Sequence, residues 1–70
     1  MPVDKKLRAT LATLEGIAAD FTVSYLETSD AQTKQMFEQL STQTNSVIRK
    51  LKGRIEDIEE EEPQYREGNK

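Results

Sequence analysis

Across residues 30–62, apolar side chains fall at Phe37, Leu40, Val47, Ile48, Leu51, Ile55 and Ile58, and Thr44 fills the gap between Leu40 and Val47. Steps of three and four hold these positions on one face of a 3.6-residue helix, and no strand-like alternation competes with them. The pattern predicts one long helix. Ser29 followed by Gln32 fits a capping box, in which hydroxyl and amide satisfy backbone donors at a helix start. Asp30 is the alternative cap, and its charge would also suit the positive end of the macrodipole. Pro63 ends the run, because proline cannot continue the hydrogen-bond ladder and disfavours helical backbone at Glu62. A helix of about 31 residues is roughly 45 Å long, so its packing partner must be long too.

That partner is read from residues 5–28, with Asp4 as the expected N-cap. Leu7, Leu11, Leu14, Ala18, Phe21 and Tyr25 alternate fours and threes, the spacing of a heptad seam, and Ile17 widens the stripe. A second stripe, Ala9, Ala12, Gly16, Ala19, Val23 and Leu26, is offset from the first by two residues, which places it roughly 160° around the helix. Two readings stay open for it. Alanine is a good helix former on a solvent face. Alternatively, small side chains admit a second helix at close range, which would explain a glycine that costs about 1 kcal/mol in a helix interior.

Thr28 to Asp30 is short enough to make the two helices antiparallel neighbours. Folding about Ser29 sets Phe21 against Phe37, Ala18 against Leu40, Leu14 against Thr44, Leu11 against Val47, Leu7 against Leu51 and Val3 against Ile55. The predicted fold is therefore all-α: an antiparallel two-helix hairpin over residues 1–62, dimerising into a four-helix bundle, followed by a flexible polar tail at 63–70. Two self-association surfaces are open. One is the small-residue stripe at Ala12, Gly16, Ala19, Val23 and Leu26. The other is the edge of the main stripes around Ile17, Met36 and Ile48.

Length is what makes self-association expected. A chain of 70 residues rarely builds a self-sufficient core. The sequence has no cysteine for a disulfide, and without histidine or cysteine no structural zinc site of the usual kinds. No run of about 18 apolar residues is present to span a membrane. Met1 to Arg8 lacks the apolar core of a signal peptide, so the expected location is the cytoplasm.

The same composition removes Ser-His-Asp and Cys-His nucleophilic systems and thiol redox chemistry. Gly16, Gly53 and Gly68 are isolated, so no glycine-rich phosphate loop exists. Glu59 and Glu62 share a helix face, but a run of adjacent glutamates is ordinarily a solvated surface. No catalytic residue, metal ligand or cofactor is assigned, and the protein is expected not to be an enzyme. Ser41 to Ser46 is polar and weakly helix-forming. It reads as a loose stretch whose Thr44 hydroxyl bonds back to a carbonyl, or as a hinge or register-setter.

Charge is unevenly distributed. Residues 29–55 carry five basic and two acidic groups, whereas residues 56–70 carry two and seven. The hairpin brings Lys5, Lys6 and Arg8 alongside Arg49, Lys50, Lys52 and Arg54 at its open end. These seven groups are either a solvated surface with local pairs such as Lys52–Glu56 and Arg54–Asp57, or a weak site for an anionic partner. Nucleic acid is disfavoured, since the chain is acidic overall and no aromatic lies among the basic positions to stack a base. The preferred function is a non-enzymatic structural or protein-interaction module. The alternative is a peripheral adaptor docking its basic end on an anionic membrane surface or on the cytosolic face of a membrane protein.

Three segments, T-L-A-T-L-E-G at Thr10 to Gly16, K-Q-M-F-E-Q at Lys34 to Gln39 and E-E-E-P-Q-Y at Glu60 to Tyr65, carry a resemblance. With them the chain resembles a family of short proteins of unknown function from endospore-forming bacteria. Members are often encoded near spore-membrane proteins, so the resemblance implies a sporulation context and a forespore or spore location. It implies no catalytic residues. Arg66 to Lys70 is longer and more polar than the family pattern.

Overall fold

A computed structural model describes residues 3–61. They form two helices, α1 (Val3–Glu27) and α2 (Ala31–Glu61), joined at residues 28–30. No strand is present among the described residues. The polar tail expected at 63–70, and the stop at Pro63, lie outside them.

α1 starts two residues earlier than its spacing suggested, which puts Asp4 inside the first turn instead of ahead of it as the cap. An acidic group there still suits the macrodipole. The connection is tight: the Thr28 N–H donates to the Ser24 carbonyl at 3.0 Å, and the Lys34 N–H donates to the Asp30 carbonyl at 2.8 Å. The cap of α2 is Asp30, not a Ser29–Gln32 box. One carboxylate oxygen, Oδ2, accepts the Thr33 N–H at 2.8 Å and the Thr33 hydroxyl at 2.7 Å. A charged acceptor that satisfies two donors at a helix start holds this position more firmly than a neutral hydroxyl.

Covered positions in α1 include Asp4, Leu7, Leu11, Leu14, Ala18, Phe21 and Tyr25, continued by Thr28 in the connection, and in α2 they include Lys34, Phe37, Ser41, Thr44, Ile48, Leu51, Ile55 and Ile58. Both series alternate threes and fours without a break, which is the repeat that keeps a seam facing its partner along the whole length of two helices. The seam is aromatic beside the turn, where the Phe21 and Phe37 rings lie 6.2 Å apart, as a fold about Ser29 requires. It is small and polar in the middle, where the Thr44 hydroxyl donates to the Leu40 carbonyl at 2.8 Å. It is aliphatic toward the open end.

Two expected seam residues lie off this series: Leu40, half-buried beside Ser41, and Val47. Val47 is 49% exposed and Ile48 only 7%. From Thr44, a step of three leads to Val47 and a step of four to Ile48. The step of four continues the alternation on to Leu51, so Ile48 turns inward and Val47 is left on the flank. Ile48 is therefore unavailable to the edge contact in which it was expected.

Among the described residues, the apolar side chains that are most nearly buried are Ile48, Ile55 and Ile58. Ile55, 3% exposed, anchors the open end, so Ile55→Ala is expected to cost about 2 to 5 kcal/mol. Leu26→Ala, at a position 70% exposed, is expected to stay within about 0.5 kcal/mol of the parent. Urea unfolding of both variants checks the seam.

A second expectation concerns the cap. The Thr33 hydroxyl, and then its N–H, hold the Asp30 carboxyl below the usual aspartate range. A depressed folded-state pKa contributes stability that is present above the unfolded value, about 3.9, and is lost as pH falls through the lower folded value. Asp30→Asn keeps an oxygen at the cap but removes the charge. The gap in melting temperature between parent and variant should therefore be widest near neutrality and close on acidification.

Candidate functional site

The open end gathers the charged groups. Arg8 lies on the outer edge of the seam, where Leu7 and Leu11 bring α1 against α2, and it reaches two carboxylates. Its Nε is 3.9 Å from Asp4, one turn back on the same helix, and its terminal nitrogen contacts Glu59 of α2. Asp4 is the one buried polar residue among those described, at 4% exposure. A buried carboxylate needs such a partner, because an unpaired charge out of water is costly. Farther along the same flank, Lys52 lies 3.7 Å from Glu15, with both side chains about half exposed. Arg54 is 3.9 Å from Glu61 on its own helix.

These pairs differ from the local ones expected, Lys52–Glu56 and Arg54–Asp57. Simple folding about Ser29 would set Arg8 opposite Lys50 and Glu15 opposite Gln43. Instead the charged partners are Glu59 and Lys52, nine positions further along α2 in each case. Helical side chains lean toward the N-terminus of their own helix. In an antiparallel pair the two leans are opposed in space, so long side chains that meet come from residues higher in number on both helices than backbone levels suggest.

Of the seven basic residues proposed as an anionic-partner site, Arg8, Lys52 and Arg54 thus sit beside carboxylates, and Lys5, Lys6, Arg49 and Lys50 are exposed. A shallow depression lies on this flank, lined by Arg8, Leu11, Lys52, Ile55, Glu56 and Glu59. Its mixed charge offers no concentrated field for an anion. The small-residue stripe lies on the outer side of α1. Ala12, Gly16, Ala19, Val23 and Leu26 are all exposed, and a side chain built at Gly16 would meet nothing within 4 Å. Gly16 therefore answers to no close approach within the hairpin.

Beside the turn, the Lys34 ammonium donates to the Tyr25 carbonyl at 2.6 Å and lies 4.2 Å from the centre of the Tyr25 ring. That contact satisfies a carbonyl in the last turn of α1 and adds a cation–π attraction. Sequence reasoning passed over it, although Lys34 stands one heptad step before Phe37. It also passed over the Asp4–Arg8–Glu59 group, whose signal was the four-residue spacing of Asp4 and Arg8. Among the described residues, no group of three acidic side chains is arranged to hold a metal ion, and no helix is long and apolar enough to cross a membrane.

A two-helix, all-α hairpin of this kind, with charge concentrated at one end, is the class that the geometry defines. The chain belongs to the DUF1657 family, described as proteins of unknown function, whose model matches residues 7–55. No curated protein and no solved structure matches it. The matched span includes the segments at Thr10 to Gly16 and Lys34 to Gln39 and stops short of the acidic run and Glu60 to Tyr65.

The Arg8 group yields an expectation. Arg8→Met leaves buried Asp4 and Glu59 without their shared cation and should cost roughly 1 to 3 kcal/mol, as for hydrogen bonds to charged groups. Lys52→Met breaks a pair in water and should cost less than about 1 kcal/mol. Chemical denaturation of the two variants compares them directly.

Proposed function

We propose that the protein is a non-enzymatic structural or protein-interaction module that works as a homodimer, two hairpins forming a four-helix bundle. The observation that carries this reading is the incomplete covering of the seam. Leu7, Leu11, Leu14, Phe21, Phe37, Leu40 and Leu51 are covered only in part, and no side chain among those described is wholly buried. Apolar surface left in water is recovered when a second hairpin is laid against the first. The absence of histidine and cysteine from the sequence supports the non-enzymatic half of the reading. The setting we infer is the cytoplasm of sporulating cells, in the forespore or spore. It rests on the resemblance of the Thr10–Gly16, Lys34–Gln39 and Glu60–Tyr65 segments to proteins of endospore-forming bacteria.

A second reading, a peripheral adaptor on an anionic membrane surface, draws on the exposure of Lys5, Lys6, Arg49 and Lys50 at one end. Two measurements separate the readings. A homodimer gives a melting temperature that rises with protein concentration, because association stabilises the folded state by mass action. An adaptor cosediments with anionic vesicles at low salt and is released as salt screens the attraction. The expected result is concentration-dependent melting without vesicle binding. Concentration-independent melting together with salt-sensitive vesicle binding would replace the first reading with the second.

A further inference from the structure

The two flanks of the seam are unlike. In each helix one row of residues directly follows the seam positions and another directly precedes them. The following rows of both helices share a flank, because Arg8 meets Glu59 and Glu15 meets Lys52 there. The preceding rows therefore lie together on the opposite flank, where Thr10, Ser24, Thr33 and the Arg54–Glu61 pair are interspersed with exposed apolar side chains. Val3 and Ile17 of α1 and Val47 of α2 belong to these rows, and Met36 to the row beside them. They are four of the six large hydrophobic residues exposed among those described, while Val23 and Leu26 lie behind α1.

We infer that this Ile17–Val47 flank is the surface on which a second copy of the chain docks, head to tail, about a two-fold axis perpendicular to the helices. The inference rests on the self-association proposed above and names its surface. Three observations point to a second copy.

Position is the first. Ile17 and Val47 lie near the midpoints of their helices, Val3–Glu27 and Ala31–Glu61. An axis passing between them brings each residue near its own counterpart and overlaps the hairpins along their whole length, as an isologous contact requires.

Size is the second. The molecule extends 50 × 16 × 15 Å, so one flank offers about 750 Å². Stable partners each bury roughly 800 Å².

Charge is the third, and it sets the direction. Lys6, Thr13, Asp20 and Glu27 form one row along α1, beside the row of Ile17, basic at the open end and acidic at the turn. Head to tail, α1 runs antiparallel to α1 of the other copy, and Lys6 of each comes beside Glu27 of the other. Head to head, α1 lies on α2 of the other copy, and Lys6 comes beside Arg54. Opposite charges at contact favour the first arrangement, and like charges oppose the second.

The test is light scattering with sedimentation equilibrium on the full chain, with helix content followed by circular dichroism. The 8.0 kDa chain should be a dimer. Val47→Glu should weaken the dimer by about 100-fold, as expected of a central apolar contact. Ala19→Arg, on the outer side of α1, should leave the dimer unchanged. Lys6→Glu and Glu27→Lys leave the seam intact and so test the contact even if Val47→Glu fails to fold. Each alone should weaken the dimer by about 3-fold, and the double variant should restore it. A parent monomeric at every concentration would overturn self-association itself. A dimer that resists Val47→Glu but falls apart with Ala19→Arg would overturn this surface and leave self-association standing. A double variant weaker than both single ones would overturn the head-to-tail direction.

Discussion

Two helices can cover each other along one line only, and the rest of this molecule follows from that limit. A seam of heptad positions buries its residues from the front and leaves them open on both sides. Among the described apolar residues, only Ile48, Ile55 and Ile58, in the aliphatic stretch near the open end, come close to full burial. Toward the turn the same line is filled by Phe21, Phe37 and Tyr25, whose bulk covers area that two narrow stripes of aliphatic residues could not. Between these blocks Ala18, Ser41 and Thr44 add little apolar surface. Thr44 returns its hydroxyl to the Leu40 carbonyl, so it stands on the seam without an unsatisfied polar group.

The relative height of the two helices is fixed at both ends by polar contacts of different kinds. At the turn, Asp30 caps α2 through Thr33, and Lys34 reaches across to the last turn of α1 at Tyr25. At the open end, Arg8 spans from Asp4 to Glu59. An aliphatic seam alone tolerates slippage by a heptad, since leucine and isoleucine at equivalent positions are near substitutes. A guanidinium that must meet the Glu59 carboxylate of the other helix does not tolerate it. Of the contacts at the open end, Arg8–Glu59 and Lys52–Glu15 cross between the helices and so depend on their register.

Most of the architecture was legible in the sequence because heptad spacing survives any detail of packing. Leu7, Leu11, Leu14, Phe21 and Tyr25 could face only one way, and three residues between two such stripes leave only an antiparallel return. Legibility failed where two neighbouring residues were both apolar or both polar. Val47 and Ile48 each continue the stripe, and only the regular alternation of fours and threes across Thr44 decides between them. Ser29 and Asp30 each suit a cap, and the paired donors of Thr33 decide for Asp30. The ion pairs were missed for another reason. Pairing by backbone level neglects the lean of helical side chains, and for arginine and glutamate that lean amounts to more than a turn. The site was less legible than the fold, since basic residues at one end say nothing of the carboxylates that the other helix brings to them.

Those carboxylates bear on how the basic end is read. The family model spans residues 7–55, so Glu59 and Glu61, the partners of Arg8 and Arg54, lie beyond it. Within the matched span, Lys52 answers Glu15. The acidic extension of this chain therefore lowers the positive field at its own open end by placing carboxylates beside two of the seven cations. Attraction to an anionic surface would fall to Lys5, Lys6, Arg49 and Lys50, which are exposed and strongly screened at physiological salt. Among the described residues, Val3, Ile17, Met36 and Val47 remain exposed. Charge at the open end is thus partly answered from within the hairpin by Glu59 and Glu61, whereas these four apolar side chains on the other flank find no such answer among the described residues.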